Sequence, residues 1–329
     1  MSAKNVSMDF STKVNLDVGV IDTFDVGKYK NILVLTGAYN SPKRFEQYLE
    51  PPFKELKVKY HVFTGVPVNL TAEVVHSATN FARTKNIDLI VSCGGASPMD
   101  CGKLVSLLLA QGGSLQEYLG GKQMTPNVVP HYTVPTISGR GAEISPSAYF
   151  IVNKEKKIIS SPCLVPKVTY IDPMIMTGIP KILWACVGFE CFATALSAYI
   201  SPNATPHSNS FATLALNHYW KFIPKLLKDP DNVQYIKEVI VSSINASIAA
   251  SFTGPGEWQI RANKLCAGQN LRNGIALAMV GGDLCARLYE KNKEKFDKMR
   301  EIMKSTDDIK TAIDKHIKKL GLVLPPLPQ

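Results

Sequence analysis

Apolar residues in the first half of the chain follow two alternating patterns. Short, mainly apolar runs at residues 31–36 and 88–93 are each followed by a glycine, which is typical of strands buried in a parallel sheet. Between them, residues 71–84 place apolar side chains on one side of a 3.6-residue repeat, which predicts a helix. Strands that alternate with helices in this way predict βαβ units, and therefore a Rossmann-like parallel sheet.

The pattern changes after about Ile171. Strand-like runs fade, and long segments of helical periodicity follow at residues 182–200, 210–227 and 233–251 and in the C-terminal region. We therefore expect an α/β domain over residues 1–173 and an all-helical domain over residues 174–329. The proline-rich residues 320–329 are interpreted as a terminal strap.

Composition narrows the class of protein. Hydrophobic residues make up 45% of the 329 residues and charged residues 19%, which is enough to build a core and excludes wholesale disorder. No uninterrupted apolar run reaches the length of a membrane span, and the first ten residues lack the apolar segment of a secretory signal. Seven cysteines without a C-x-x-C pair favour reduced thiols. We expect a cytoplasmic protein.

The net charge of +10 permits anionic partners such as phosphates or acidic substrates. Residues 291–319 carry ten Lys and Arg against six Asp and Glu, and Ile309, Ile313 and Ile317 recur on one helical face. We interpret the lysines of this segment as the solvated side of an amphipathic helix. The sequence therefore predicts a small-molecule partner, with neither nucleic acid nor membrane.

A glycine turn follows the second buried strand. Residues 94–103, GGASPMDCGK, combine small side chains with a helix start, where backbone N–H groups favour a bound pyrophosphate. The turn is not a P-loop, because Leu104 stands where a magnesium-binding Ser or Thr is required, and it does not match G-x-G-x-x-G. By itself the turn is equally consistent with a tight strand-to-helix connection that binds nothing.

Several further motifs change this picture. The turn resembles the GGGSxxDxAK loop of the iron-containing (group III) alcohol dehydrogenases, and VPTISGRGAEIS at residues 134–145 resembles that family's IPTTAGTGSEVT. Family-like stretches follow in order at residues 156–173 and 187–201. The resemblance extends from about residue 30 to about residue 305. It implies a dinucleotide-binding α/β domain followed by a helical domain, and hydride transfer as the chemistry.

The resemblance also implies a set of cofactor-binding residues. These are Gly94, Gly95, Ala96, Ser97 and Asp100 in the glycine turn, together with Asn69, Thr136, Ile137 and Lys157. Gly37 stands where the family often has an aspartate that accepts the ribose hydroxyls. Because no carboxylate repels a 2′-phosphate there, and Lys43 or Arg44 can pair with one, we expect NADP as the cofactor, with NAD as the alternative.

The family's metal ligands are replaced. Its aspartate and three histidines fall on Glu190, Thr194, Gln259 and Asn273, and its additional active-site histidine falls on Asn263. Amide and hydroxyl oxygens are poor ligands for iron or zinc, so we expect no metal.

Basic residues surround these positions: Arg140 replaces a family threonine, and Arg261, Lys264 and Arg272 flank the lost ligands. If two or more of them point inward, the cleft is cationic and suits an anionic ligand. The alternative is that each lies on an outer helix face in solvent. The candidate catalytic set is Arg140, Gln259, Arg261, Asn263, Lys264, Arg272 and Asn273.

The favoured function is a metal-independent, NAD(P)-dependent oxidoreductase that transfers hydride between nicotinamide and a small alcohol or carbonyl compound, with an anionic substrate as one option. Two alternatives stay open. The first is a catalytically inactive family member that binds a nucleotide or a protein partner. The second is a lyase on the related dehydroquinate synthase scaffold, which is disfavoured because that chemistry also needs a metal. A homodimer is also left open.

Overall fold

The computed structural model describes residues 11–326. The strands of this part are β1 (Lys13–Leu16), β2 (Asn31–Gly37), β3 (Lys59–Val66), β4 (Leu89–Gly94), β5 (His131–Pro135), β6 (Ser147–Val152), β7 (Glu155–Ser160) and β8 (Val168–Ile171). Six of them form one parallel sheet in the order β1-β8-β5-β4-β2-β3. The predicted fold class is confirmed.

Helices flank the sheet and then make up the rest of the described chain. Those of the first half are α1 (Ser41–Arg44), α2 (Glu50–Glu55), α3 (Ala72–Arg83), α4 (Ala96–Gln111) and α5 (Leu115–Leu119). Those of the second half are α6 (Lys181–Ile200), α7 (Pro206–Leu226), α8 (Val233–Thr253), α9 (Glu257–Gln269), α10 (Asn273–Leu288), α11 (Lys293–Met303) and α12 (Ile309–Lys319). Within residues 11–326 no strand follows β8.

The proposed domain boundary after residue 173 falls between β8 and α6. Three predictions lie wholly or partly outside the described residues. The expected absence of a signal segment concerns residues 1–10, and the proline-rich tail extends over the last three residues of the chain. The outer ends of both proposed domains also lie there. Residues 148–152 follow the second glycine-containing motif and form most of β6. It pairs with β7 in a separate antiparallel hairpin and does not join the parallel sheet.

Helix α6 forms the centre of the helical half. Trp184, Phe189 and Phe192 are fully buried there against α7, α9 and α12. Within the described residues, α6 alone has the length and mean hydropathy, 1.5, of a membrane-crossing helix, and 72% of that stretch is buried inside the protein. A buried core helix meets the same criteria, so its apolar character is explained by packing.

Candidate active site

A cleft of 420 Å³ lies between the sheet and the helical half. Strands β2, β4 and β5 are neighbours and parallel, so their carboxyl ends, near Gly37, Gly94 and Pro135, lie at one edge of the sheet. Ligands of open α/β sheets bind at this edge. The opposite wall of the cleft comes from α6 and from the start of α10.

The glycine turn is shaped to bring backbone close to a ligand. Helix α4 begins at Ala96, and its N-cap, Gly95, supplies no side chain to its first N–H groups. A Cβ on Gly95 would lie 3.2 Å from Ile137 Cγ2, so the turn is closely enclosed. The Ser97 hydroxyl donates to the Val68 carbonyl, which ties the turn to the neighbouring loop. Open N–H groups at a helix start favour a phosphate.

The structure brings most of the predicted cofactor residues together. The cleft is lined by Gly37, Asn69, Gly95, Ala96, Ser97, Asp100, Thr136 and Ile137. Gly94 stands just behind this wall, where a Cβ would lie 2.7 Å from Pro98 Cγ. The Asn69 amide donates to Asn270 Oδ1 at 2.8 Å and to the Leu271 carbonyl at 3.1 Å, so it joins the two halves of the protein.

The placement of Lys157 differs from the prediction. Its side chain forms an ion pair with Glu155 and is 43% exposed, whereas the preceding residue, Lys156, lines the cleft. In the β6–β7 hairpin Lys156 lies opposite Ile151, another cleft residue, and Lys157 lies opposite Phe150. Successive strand residues point to opposite faces, so one of two adjacent lysines must turn away. The alternation of side chains along a strand is the sequence signal that Lys156 and Lys157 cannot both face the cleft.

Two further predicted residues bear on a 2′-phosphate. Lys43 is exposed outside the cleft wall, while Arg44 lines the same cleft as Gly37. The Arg44 guanidinium donates to the Thr177 carbonyl, and this bond leaves other N–H donors of the guanidinium available.

A network of polar side chains occupies the positions that the resemblance assigns to metal ligands. Asn273 is its centre: its amide nitrogen donates to Glu190 Oε1 at 2.6 Å, and its oxygen accepts from Gln259 Nε2 at 2.9 Å. Gln259 Nε2 also donates to Asn263 Oδ1 at 2.8 Å. Lys156 Nζ lies 3.5 Å from Asn273 Oδ1. The amide groups therefore satisfy one another.

These residues do not fit iron or zinc. Glu190 is the single carboxylate of the set, and the Thr194 hydroxyl donates to the Glu190 carbonyl within its own helix at 2.8 Å. Burial raises the pKa of the nearby Cys186 thiol to about 12 and also raises that of Cys266, so neither is a thiolate at neutral pH. Within residues 11–326 no group of three or more His, Cys, Asp or Glu side chains is arranged to hold a metal ion.

Arg140 extends into the space beside this network. It forms an ion pair with Asp100, its Nε lies 3.7 Å from Glu190 Oε1, and its guanidinium stacks 4.5 Å from the centre of the Tyr149 ring. Asp100 also contacts the fully buried Lys103, whose pKa burial lowers to about 8. The ion pair with Asp100 thus holds the Arg140 guanidinium at the wall of the cleft. The sequence identified both residues but not their pairing.

The other predicted cations divide between the cleft and the surface. Arg272 lines the cleft, 5.9 Å from the centre of the Tyr39 ring. Arg261 pairs instead with Glu257 at 3.1 Å and is 47% exposed, and Lys264 is exposed one turn of α9 later. Those two predicted catalytic residues therefore lie outside the cleft, because they occupy the outer face of α9. Gln259 and Asn263 take the inner face, but neither lines the cleft, and they connect to it through the hydrogen bond from Gln259 to Asn273.

Comparisons with known proteins agree with this geometry. Residues 20–173 match the family described as iron-containing alcohol dehydrogenase. This match covers just under half of the chain. It is 26% identical over 223 residues to the long-chain-alcohol dehydrogenase 1 of Geobacillus thermodenitrificans, which covers 67% of this chain and 56% of the relative. It is 23% identical to the NAD-dependent methanol dehydrogenase of Bacillus methanolicus, over 83% of this chain and 72% of that enzyme.

Solved structures of the iron-containing alcohol dehydrogenase family share the fold. The NADH-dependent butanol dehydrogenase A of Thermotoga maritima superposes with a TM-score of 0.88 at 23% identity, over 97% of this chain and 85% of that one. The matched region spans little more than half of the first curated relative, so the relatives' activities are not transferred to this chain by similarity alone. The family match covers the part of the chain that forms the glycine turn, while the positions that the resemblance assigns to metal ligands lie beyond residue 173.

Proposed function

We propose that the protein is a metal-independent, NAD(P)-dependent oxidoreductase that acts on a small alcohol or carbonyl compound and prefers NADP. One observation carries the proposal: a single cleft joins the glycine turn to Glu190 and Asn273, and Asn273 in turn is hydrogen-bonded to Gln259. A pyrophosphate at the start of α4 would place the rest of a dinucleotide along this cleft toward the network. The nicotinamide supplies hydride chemistry, and the protein has to orient and polarise the substrate.

The cleft residues in and beside the network have separate tasks in this proposal. Arg140 and Arg272 present positive charge at the cleft, where it stabilises the negative charge that develops on the substrate oxygen. Glu190 is the carboxylate at the site that can exchange the hydroxyl proton of an alcohol. The hydrogen bonds of Asn273 hold Glu190 in place. The cations also favour an anionic group in the cleft, which the cofactor phosphates or an acidic substrate would provide.

The preference for NADP follows from Gly37 and Arg44. A side chain at position 37 would meet Ser41 Oγ at 3.1 Å, so the end of β2 is closely packed and carries no carboxylate. Arg44 lines the same cleft as Gly37. We further propose that the protein acts in the cytoplasm, with a homodimer as an open option.

The lost metal ligands favour a second candidate, an inactive family member that binds the nucleotide without turnover. Calorimetric titration with NADP⁺, NADPH, NAD⁺ and NADH, followed by assays of hydride transfer with a panel of alcohols and aldehydes, separates the two. We expect tighter binding of the phosphorylated cofactors and measurable turnover. Binding without turnover would support the inactive alternative, and equal or tighter NAD⁺ binding would remove the argument from Gly37.

A matched pair of variants tests the site itself. Lys156→Met should weaken NADP⁺ binding about tenfold, since a charge-assisted contact is lost, while Lys157→Met should leave it unchanged because that side chain lies outside the cleft wall. Equal effects of the two substitutions would contradict the proposed cofactor position.

A further inference from the structure

Tyr149 stands at the boundary between the cleft and a smaller cavity of 160 Å³, because its side chain lines both. It belongs to β6, and its backbone N–H donates to Asp100 Oδ2 at 3.1 Å. The Arg140 guanidinium lies 4.5 Å from the centre of its ring, and Lys156 Nζ lies 5.8 Å from that centre. Backbone and ring are therefore both held in place beside the proposed reaction site.

The hydroxyl of this tyrosine has no hydrogen-bond partner within residues 11–326. The hydroxyl of Tyr219, by contrast, is hydrogen-bonded to His316 Nε2 at 2.6 Å. Burial raises the pKa of Tyr149 above its ordinary value, although the Arg140 guanidinium opposes the rise. At neutral pH the Tyr149 hydroxyl therefore carries its proton, and it can donate that proton in a hydrogen bond to a ligand.

The four positions that the resemblance assigns to metal ligands offer no free donor. The Asn273 amide nitrogen donates to Glu190 Oε1 at 2.6 Å and to Gln259 Oε1 at 3.4 Å. The Gln259 amide nitrogen donates to Asn263 and Asn273, and the Thr194 hydroxyl donates to the Glu190 carbonyl. An amide nitrogen has two protons and a hydroxyl has one, so every proton of these groups is in use.

Hydride transfer to a carbonyl carbon makes the carbonyl oxygen more negative, and a hydrogen-bond donor placed at that oxygen stabilises the charge. The charge of Arg140 is already partly offset, because Arg140 pairs with Asp100 and lies close to Glu190. We infer that the Tyr149 hydroxyl donates the hydrogen bond that orients and polarises the substrate oxygen. This inference rests on the proposed function, and it leaves Glu190 as the acceptor of the alcohol proton.

Infrared difference spectroscopy of a dead-end complex tests this hydrogen bond without turnover. Cyclopentanone is the probe and NADP⁺ the cofactor, because an oxidised cofactor has no hydride to transfer. A hydrogen bond to the carbonyl oxygen weakens the C=O bond. The C=O stretching frequency of the bound ketone should therefore be lower in the wild-type complex than in the Tyr149→Phe complex. Equal frequencies in the two complexes, or no bound ketone in the wild type, would refute the inference.

The Tyr149→Phe substitution keeps the ring that stacks against Arg140 and removes only a hydroxyl without a partner in the described chain. Folding and NADPH affinity should therefore be unchanged, which circular dichroism and titration verify. Tyr235→Phe is the matched control, because Tyr235 is also half-buried, its hydroxyl is likewise unpartnered in the described chain, and it lines neither cavity. It should give the wild-type frequency, and an equal change in both variants would count against Tyr149.

Steady-state kinetics with NADPH and a carbonyl substrate supply the second measurement. Tyr149→Phe should lower kcat about a hundredfold, the cost of losing one donor to the developing charge, while Tyr235→Phe should leave kcat unchanged. Turnover at the wild-type rate in Tyr149→Phe would refute the inference and retain the proposed function. A frequency difference that depends on Tyr149, without hydride transfer to any substrate, would retain the inference and reject the proposed enzymatic function.

Discussion

Replacing Arg140 by methionine should destabilise the protein by about 3 kcal/mol, the lower end of the range for breaking a buried ion pair. Asp100 is 2% exposed and Glu190 12% exposed, and both depend on the Arg140 guanidinium. Methionine keeps much of the side-chain volume but removes the charge. Lys103 Nζ lies 3.5 Å from Asp100 Oδ1 and still offsets part of the negative charge of Asp100 after the substitution. The expected cost is therefore at the lower end of that range.

Urea unfolding followed by circular dichroism measures this cost. Lys298→Met is the control, because its partner Glu301 is 68% exposed and Lys298 itself 59%, so the loss should stay below about 1 kcal/mol. Adding Asp100→Asn to Arg140→Met should restore part of the stability, since the unpaired carboxylate is removed. A cost below about 1 kcal/mol for Arg140→Met would refute the view that this guanidinium neutralises buried carboxylates.

Two further predictions concern metal and pH. Protein purified without chelator should contain no stoichiometric iron or zinc by elemental analysis; about one metal per chain, lost on substitution of Glu190, would overturn the assignment of the ligand positions. Burial lowers the pKa of His131 and of His316 from 6.5 to about 3, so the unfolded chain binds protons below pH 6.5 that the folded chain does not. Unfolding free energy should therefore fall as pH drops from 6.5 toward 3, by about 1.4 kcal/mol per pH unit for each histidine. His316→Gln should reduce this slope, and an unchanged slope in unfolding experiments at several pH values would contradict the assignment.

Local pattern was sufficient for the sheet and the glycine turn. A buried parallel strand needs apolar residues on both faces, and the turn that follows needs small residues, so residues 31–37 and 88–95 show both requirements directly in the sequence. The predicted replacement of the metal ligands also rests on the sequence alone, because a ligand is lost with its side chain whatever the fold. Strand alternation requires Lys156 and Lys157 to face opposite sides of β7, but the pattern did not say which of the two faces the cleft.

Contacts between distant segments were decided by tertiary structure. Arg140 meets Asp100 across 40 residues of chain, and Asn273 meets Glu190 across 83, so no local periodicity records either pair. The outward positions of Arg261 and Lys264 depend on which face of α9 packs inward. A smaller cavity, of 160 Å³, forms where the ends of α6 and α8 and the start of α9 meet the β6–β7 hairpin. The sequence by itself thus determined the class of fold and the residue types available for chemistry, while packing decided which of them face the same space.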